Sequence, residues 1–251
     1  MRRSIYLWSS VGLAVMGAML LALDFWTDLD LLLADYAFDR ERGVFPWRDA
    51  WFAAVFMHRW VKAALVAVGA GVVIVAAMDA LRRLSCIPPR VRARLRIVAL
   101  CALFIPLSVV AVKRHAASHC PWNLDRYGGS APYVRLLEAS PPGAAPGRCF
   151  PAAHATSALW LSAFAVFWVP HRMRIAGLVF ALGVGAGIGL GWVQQLRGAH
   201  FLSHTLWSVW IAGAVVLSFT RLLLGCERHD PGRLTRWSRA LRGCRSARAA
   251  P

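Results

Sequence analysis

Six apolar stretches govern what this chain can fold into: Ile5–Leu23, Val61–Met78, Ile97–Val112, Ala155–Val169, Ile175–Val193 and Leu206–Leu224. A helix needs about 20 residues to cross a bilayer, with about 17 tolerated. Four stretches meet that length. The third and fourth are shorter, so their helices are expected to run into flanking residues. The first follows Arg2 and Arg3 as a signal peptide would. Its apolar core is too long, and no small-residue cleavage site follows, so it reads as a retained anchor. With 58% hydrophobic and 16% charged residues, the composition excludes an ordinary soluble domain. The expectation is an all-α, polytopic membrane helical bundle of about six transmembrane helices.

Charge orients the bundle. With the N-terminus inside, inner loops hold Arg2 and Arg3, six arginines from Arg82 to Arg96, Arg172 and Arg174, and seven from Arg228 to Arg248. These are 17 of the 29 basic residues, while outer segments hold nine of the 12 acids. The bias predicts cytoplasmic N- and C-termini. It also explains the net charge of +17 without nucleic acid, which is not an expected partner. Three units follow: residues 1–96, N-terminal helices with an outer interfacial segment across 24–60; residues 97–224, the core; and residues 225–251, a basic cytoplasmic tail.

This topology collects three polar stretches on the outer face. "KRHAASHCPWNLDRYGG" follows the third apolar stretch, "CFPAAHATS" precedes the fourth, and "RGAHFLSHTLW" precedes the sixth. Lys113 is one of only two lysines, with Lys62, among 27 arginines. It reads as an interface anchor or as a compact charge kept for a ligand. Pro151 suits a first helical turn, and the amides at Ala152 and Ala153 would then face outward as an anion site. His154 sits where it can pass a proton to that anion. His200 and His204 are four apart and would share a helix face. A zinc reading lacks the glutamate of a zincin, since Phe201 follows the first histidine. The other reading makes His200 a nucleophile beside Arg197, which would hold phosphate oxygens.

The order and spacing of these stretches resemble the type 2 phosphatidic acid phosphatase superfamily, which also contains vanadium haloperoxidases. Its motifs, K-x6-R-P, P-S-G-H and S-R-x5-H-x3-D, align with Lys113 to Pro121, Pro151 to His154 and Val193 to His204. The resemblance implies a helical bundle, a phosphohistidine formed on His200, and His154 as general acid. Lys113, Arg197 and the amides of Ala152 and Ala153 would stabilise the phosphoryl oxygens. No cofactor or metal is implied. Substrates would be lipid phosphates or pyrophosphates such as lipid A, undecaprenyl pyrophosphate or phosphatidate, met among membrane lipids at the periplasmic face of a bacterial inner membrane. The sequence names no protein partner.

The chain departs from the motifs at several positions. Cys120 stands for the first-motif arginine, Ala152 and Ala153 for serine and glycine, Gln194 for the third-motif arginine, and His204 for the orienting aspartate. Arg197 is expected to restore one charge and Arg114 or Arg126 another, and His204 to accept from His200. The alternative is a degenerate, non-catalytic member that binds lipid phosphate or assists a membrane complex. Cys120 and Cys149 are the pair left outside the membrane, where a disulfide would be worth roughly 3–4 kcal/mol in a chain-entropy account. Two free buried thiols are the other reading. Gly183, Gly187 and Gly191, spaced by four in the fifth stretch, form a small face for close helix packing.

Overall fold

A computed structural model describes residues 2–136, 138, 141–143 and 145–226. The basic tail beyond Cys226 lies outside the described residues, so its expected inner-surface placement is not addressed. The described residues are all helical or irregular, with only two isolated β-bridges, Asp39 to Val44 and Leu124 to Ala131. The helices are α1 (Arg2–Trp26), α2 (Leu29–Ala37), α3 (Lys62–Arg82), α4 (Pro89–Lys113), α5 (Ala153–Leu159), α6 (Met173–Leu196) and α7 (Leu202–Cys226). A π-wound segment, Phe52–Val61, runs straight into α3.

Five helices are long and apolar enough to cross a membrane: α1, the joined Phe52–Arg82 rod, α4, α6 and α7. The fourth apolar stretch differs. It forms the short apolar helix Ala153–Phe167, in which α5 passes into a 3-10 segment at Trp160. The tighter winding rises about 2 Å per residue, so the unit reaches about 26 Å where an α-helix of equal length would reach about 22 Å. The chain thus has one short element inside a cage of long ones.

That short unit is the centre of the core. Ala155, Leu159, Trp160, Ala163 and Val166 pack against Ile97, Val98, Cys101 and Ile105 of α4 and Val209, Ala212 and Val216 of α7. The glycine face of α6 closes the other side. A Cβ at Gly183 would lie 2.3 Å from the Ser162 backbone nitrogen, one at Gly187 2.3 Å from Leu159, and one at Gly191 2.3 Å from Thr205. Only bare backbone lets α6 approach this closely.

Charge pins one end of the bundle. Asp79 of α3, 1% exposed, faces Arg92 at 3.1 Å and Arg96 at 3.7 Å on α4. Arg94 donates from Nε to the carbonyl of Val166 at the close of the short unit.

At the opposite end α2 and the loops after α4 form a cap. Phe38, Phe45 and Tyr127 meet edge to face at 5.0 to 5.3 Å, with Leu124 and Phe201 in the same cluster. Asp35 ties the cap together, accepting from Arg126 Nε at 2.9 Å and Nη2 at 2.5 Å and from the Tyr127 hydroxyl at 2.9 Å. Asp30 of α2 accepts from the Ser203 backbone amide and hydroxyl in the first turn of α7.

Candidate active site

The ends of α3 to α7 on this side of the bundle converge beneath the cap. Lys113 is the last residue of α4, and its ammonium donates to the Cys149 carbonyl at 3.3 Å. His154 is the second residue of α5. Arg197 caps the C-terminus of α6. His200 lies in the connection to α7, and His204 in that helix's first turn.

The connection turns sharply. Gly198 takes a φ of +71°, and the amides of Gly198 and Ala199 close back on the carbonyls of Gln195 and Gln194. An L side chain is strained at that φ, and a Cβ there would lie 2.5 Å from the Phe45 ring. Phe45 therefore seats the turn that presents Arg197 on one side and His200 on the other. Because α7 starts only at Leu202, His200 and His204 do not share a helix face as their spacing suggested. They still lie near each other, ring centroids 5.7 Å apart in a T-shaped arrangement.

Four imidazoles form a row. His58 stacks on His154 with centroids 4.2 Å apart, His154 and His200 are 6.0 Å apart, and His204 follows. His200 is 3% exposed. Burial pushes its imidazolium well below the ordinary histidine range, with the nearby His204, Lys113 and His154 acting in the same direction. It is therefore a neutral ring with a free nitrogen lone pair at neutral pH. Its Nδ1 faces Cys149 Sγ at 3.5 Å. Cys120 and Cys149 are joined as a disulfide, Cα atoms 5.2 Å apart, which links the loop after α4 to the entry of α5.

Several expected contacts are replaced by others. His204 does not accept from His200; its Nε2 pairs with the Ser118 hydroxyl at 3.1 Å. The Ala152 amide is not a free phosphate donor, because it donates to the His204 carbonyl at 3.1 Å. Ala152 is itself fully buried, and Pro151 falls before the helix cap rather than in its first turn. Ala153 does open α5, where first-turn amides have no partner inside the helix. Arg114 is exposed just past the end of α4, and among the described residues its side chain makes no hydrogen bond or ion pair. Arg126 is held by Asp35 in the cap and supplies no charge to the site. Arg197 is in place, but its Nε donates to the Arg48 carbonyl and its Nη1 to Gln194 Oε1, each at 2.9 Å.

Two site residues escaped sequence reasoning. Ser118 carried a signal, since it stands inside the first polar stretch. His58 stood in the segment read as interfacial, four residues before Lys62, the other lysine. Among the described residues, the one trio of His, Cys or carboxylate donors close enough to share a metal is Cys120, Cys149 and His200. Its two sulfurs are bonded to each other and so offer no thiolate. The cations of Lys113 and Arg197 near this row of imidazoles suit an anion rather than a cation.

Neither curated proteins nor solved structures gave a match to this chain. A family profile does match, covering residues 94–227 and with them every motif residue above. That region is more than half of the chain, and membership carries phosphatase-type hydrolase chemistry with it. The chain, its motif residues gathered at one end of a helical membrane bundle, belongs to the PAP2 superfamily.

Proposed function

We propose that the protein hydrolyses a lipid phosphate or pyrophosphate through a phosphohistidine on His200, at the periplasmic face of a bacterial inner membrane. The observation that carries this reading is the buried, neutral His200 ring 6.0 Å from His154, beside the cations of Lys113 and Arg197. A His200 nitrogen attacks phosphorus, the bond to the leaving oxygen breaks, and His154 gives that oxygen its proton. Water then attacks the phosphohistidine while His154 takes a proton back, and inorganic phosphate leaves. Lys113, Arg197 and the Ala153 amide offset charge on the phosphoryl oxygens. The site's position at the end of apolar helices favours a substrate anchored in the bilayer, and the arginine-rich inner loops support the orientation.

A second reading has its own support. The Arg197 fork is committed to Arg48 and Gln194, the Ala152 amide is used, and no carboxylate stands at residue 204. These features suit a non-catalytic member that binds lipid phosphate. Phosphate release from phosphatidate, undecaprenyl pyrophosphate and lipid A by purified protein, with and without chelator, separates the two. Turnover that survives chelation and vanishes in His200→Ala supports the phosphatase. Binding of these lipids without release by the wild-type protein supports the second reading.

A further inference from the structure

The family profile covers three of the four imidazoles in the row; the fourth, His58, comes from outside residues 94–227. It is delivered by the π-wound Phe52–Val61 segment, a winding that is rare and concentrates at functional sites. Its ring lies on His154 at a centroid separation of 4.2 Å and a tilt of 35°.

The need for this contact follows from His154 itself. A histidine ring is usually fixed by the hydrogen bond its second nitrogen makes. His154 Nδ1 is buried with no hydrogen-bond partner, and so is His58 Nδ1. The torsion that turns an imidazole is broad and roughly two-fold, so without such a bond the ring's attitude depends on packing. The stacked His58 face supplies that packing. The charged groups bearing on the pair are Arg59 and Lys62 from the same rod, Lys113 from α4 and Arg197 after α6. Burial first, and then His58, Lys62, Lys113 and Arg197, push a proton away from His154.

We propose that His58 is a positioning residue: it stacks on His154 and holds that ring where it delivers a proton to the leaving oxygen. The active site then includes the π-wound segment ahead of α3 as well as the family core. This inference rests on the reading of His154 as general acid.

The test compares a dialkylglycerol phosphate in mixed micelles, whose leaving alkoxide is poor, with p-nitrophenyl phosphate, whose leaving group is good. His58→Ala is expected to lower kcat about 10–100-fold on the lipid, no more than the about 10²–10⁴-fold that general-acid help supplies in full, less than about 3-fold on the aryl ester, and to leave KM nearly unchanged. His58→Phe keeps a ring face and should recover most of the lipid rate. His58→Ala combined with His154→Ala should be no slower than His154→Ala alone. Equal losses on both substrates, no recovery in His58→Phe, or additive losses in the double variant would overturn the His58 role while leaving the phosphatase reading intact. A His154→Ala variant without leaving-group dependence, or a wild-type protein inactive on both substrates, would overturn both.

Discussion

Ser118 Oγ and His204 Nε2 lie 3.1 Å apart, and this pair stands where the family motif has an aspartate serving the nucleophile. The His204 ring is 3% exposed, and its Nδ1 is already without a partner. Ser118→Ala would orphan the second nitrogen as well. Leaving a buried polar group unsatisfied costs about 1–3 kcal/mol, so thermal unfolding in detergent should move down by that amount. His204→Asp removes the ring and restores the motif's carboxylate near Lys113, so phosphate release should be kept or raised. Loss of an activity that His200→Ala leaves intact would contradict the phosphohistidine mechanism.

The turn between α6 and α7 gives a test that touches no charged group. Gly198→Ala sets a Cβ 2.5 Å from Phe45 at a φ of +71°. The backbone conformation alone costs about 1–2 kcal/mol for an L residue, and Phe45 must also move. Arg197 and His200 flank the turn, so kcat should fall at least 10-fold while the protein still folds. Phe45→Ala in the same chain removes the steric part and should recover some of the rate.

Asp35 links the cap to acid sensitivity. Its carboxyl is pulled down to about 2, first by the hydrogen bond from Arg126, against some desolvation, and then by Tyr127. The folded value lies below the ordinary aspartate value of 3.8. The stabilisation is therefore fully present above about pH 4 and is lost as pH falls towards about 2. Arg126 is nearly half exposed, so screening holds the contribution to at most about 1 kcal/mol. Limited proteolysis of the 120–136 loop should rise across that window in the wild-type protein. Asp35→Asn should show the faster cleavage already at pH 7, with little further change on acidification.

At the end of the bundle away from the site, Asp79 is the buried partner of Arg92 and Arg96. Removing the buried carboxylate leaves Arg92 and Arg96, 20% and 34% exposed, without their partner, and solvent holds the cost to about 1–3 kcal/mol, below that of a fully buried pair. Asp79→Ala should destabilise by about that much. Asp79→Ala with Arg92→Leu and Arg96→Leu, which removes the whole cluster, should recover most of the loss. Denaturation in a fixed detergent measures both, and equal stability of wild type and Asp79→Ala would show that the cluster does not hold α3 to α4.

Sequence patterning carried the bundle further than the site. Five apolar stretches became long helices because length and composition alone decide that a helix can span. The fourth gave a shorter unit, since hydropathy does not report a change of winding at Trp160. The π-winding of Phe52–Val61 is equally silent in an apolar pattern, which is why His58 was left at the interface. The motif spacing brought Lys113, His154, Arg197 and His200 to one end. What it missed were pairings made across the chain: Arg126 taken by Asp35, the Ala152 amide taken by the His204 carbonyl, and His204 taken by Ser118. Each depends on a partner distant in sequence.

The reactive centre itself makes the most exacting prediction. If His200 attacks phosphorus, His200→Ala abolishes release from every substrate, because the covalent intermediate forms on that ring. His154→Ala loses most on poor leaving groups, by about 10²–10⁴-fold, and least where the leaving oxygen is already stable. Arg197→Lys should be damaging for two reasons. A point charge cannot replace a planar fork on phosphate, and the fork also ties Arg48 and Gln194 at 2.9 Å each. Both kcat and KM should therefore worsen. Acid-labile, base-stable labelling of the protein by a ³²P-phosphorylated substrate, quenched within one turnover, identifies the phosphohistidine. It should be absent in His200→Ala and should accumulate in His154→Ala with an aryl phosphate, where the first step survives and water attack is slowed. Label that persists in His200→Ala would assign the nucleophile to another ring in the row.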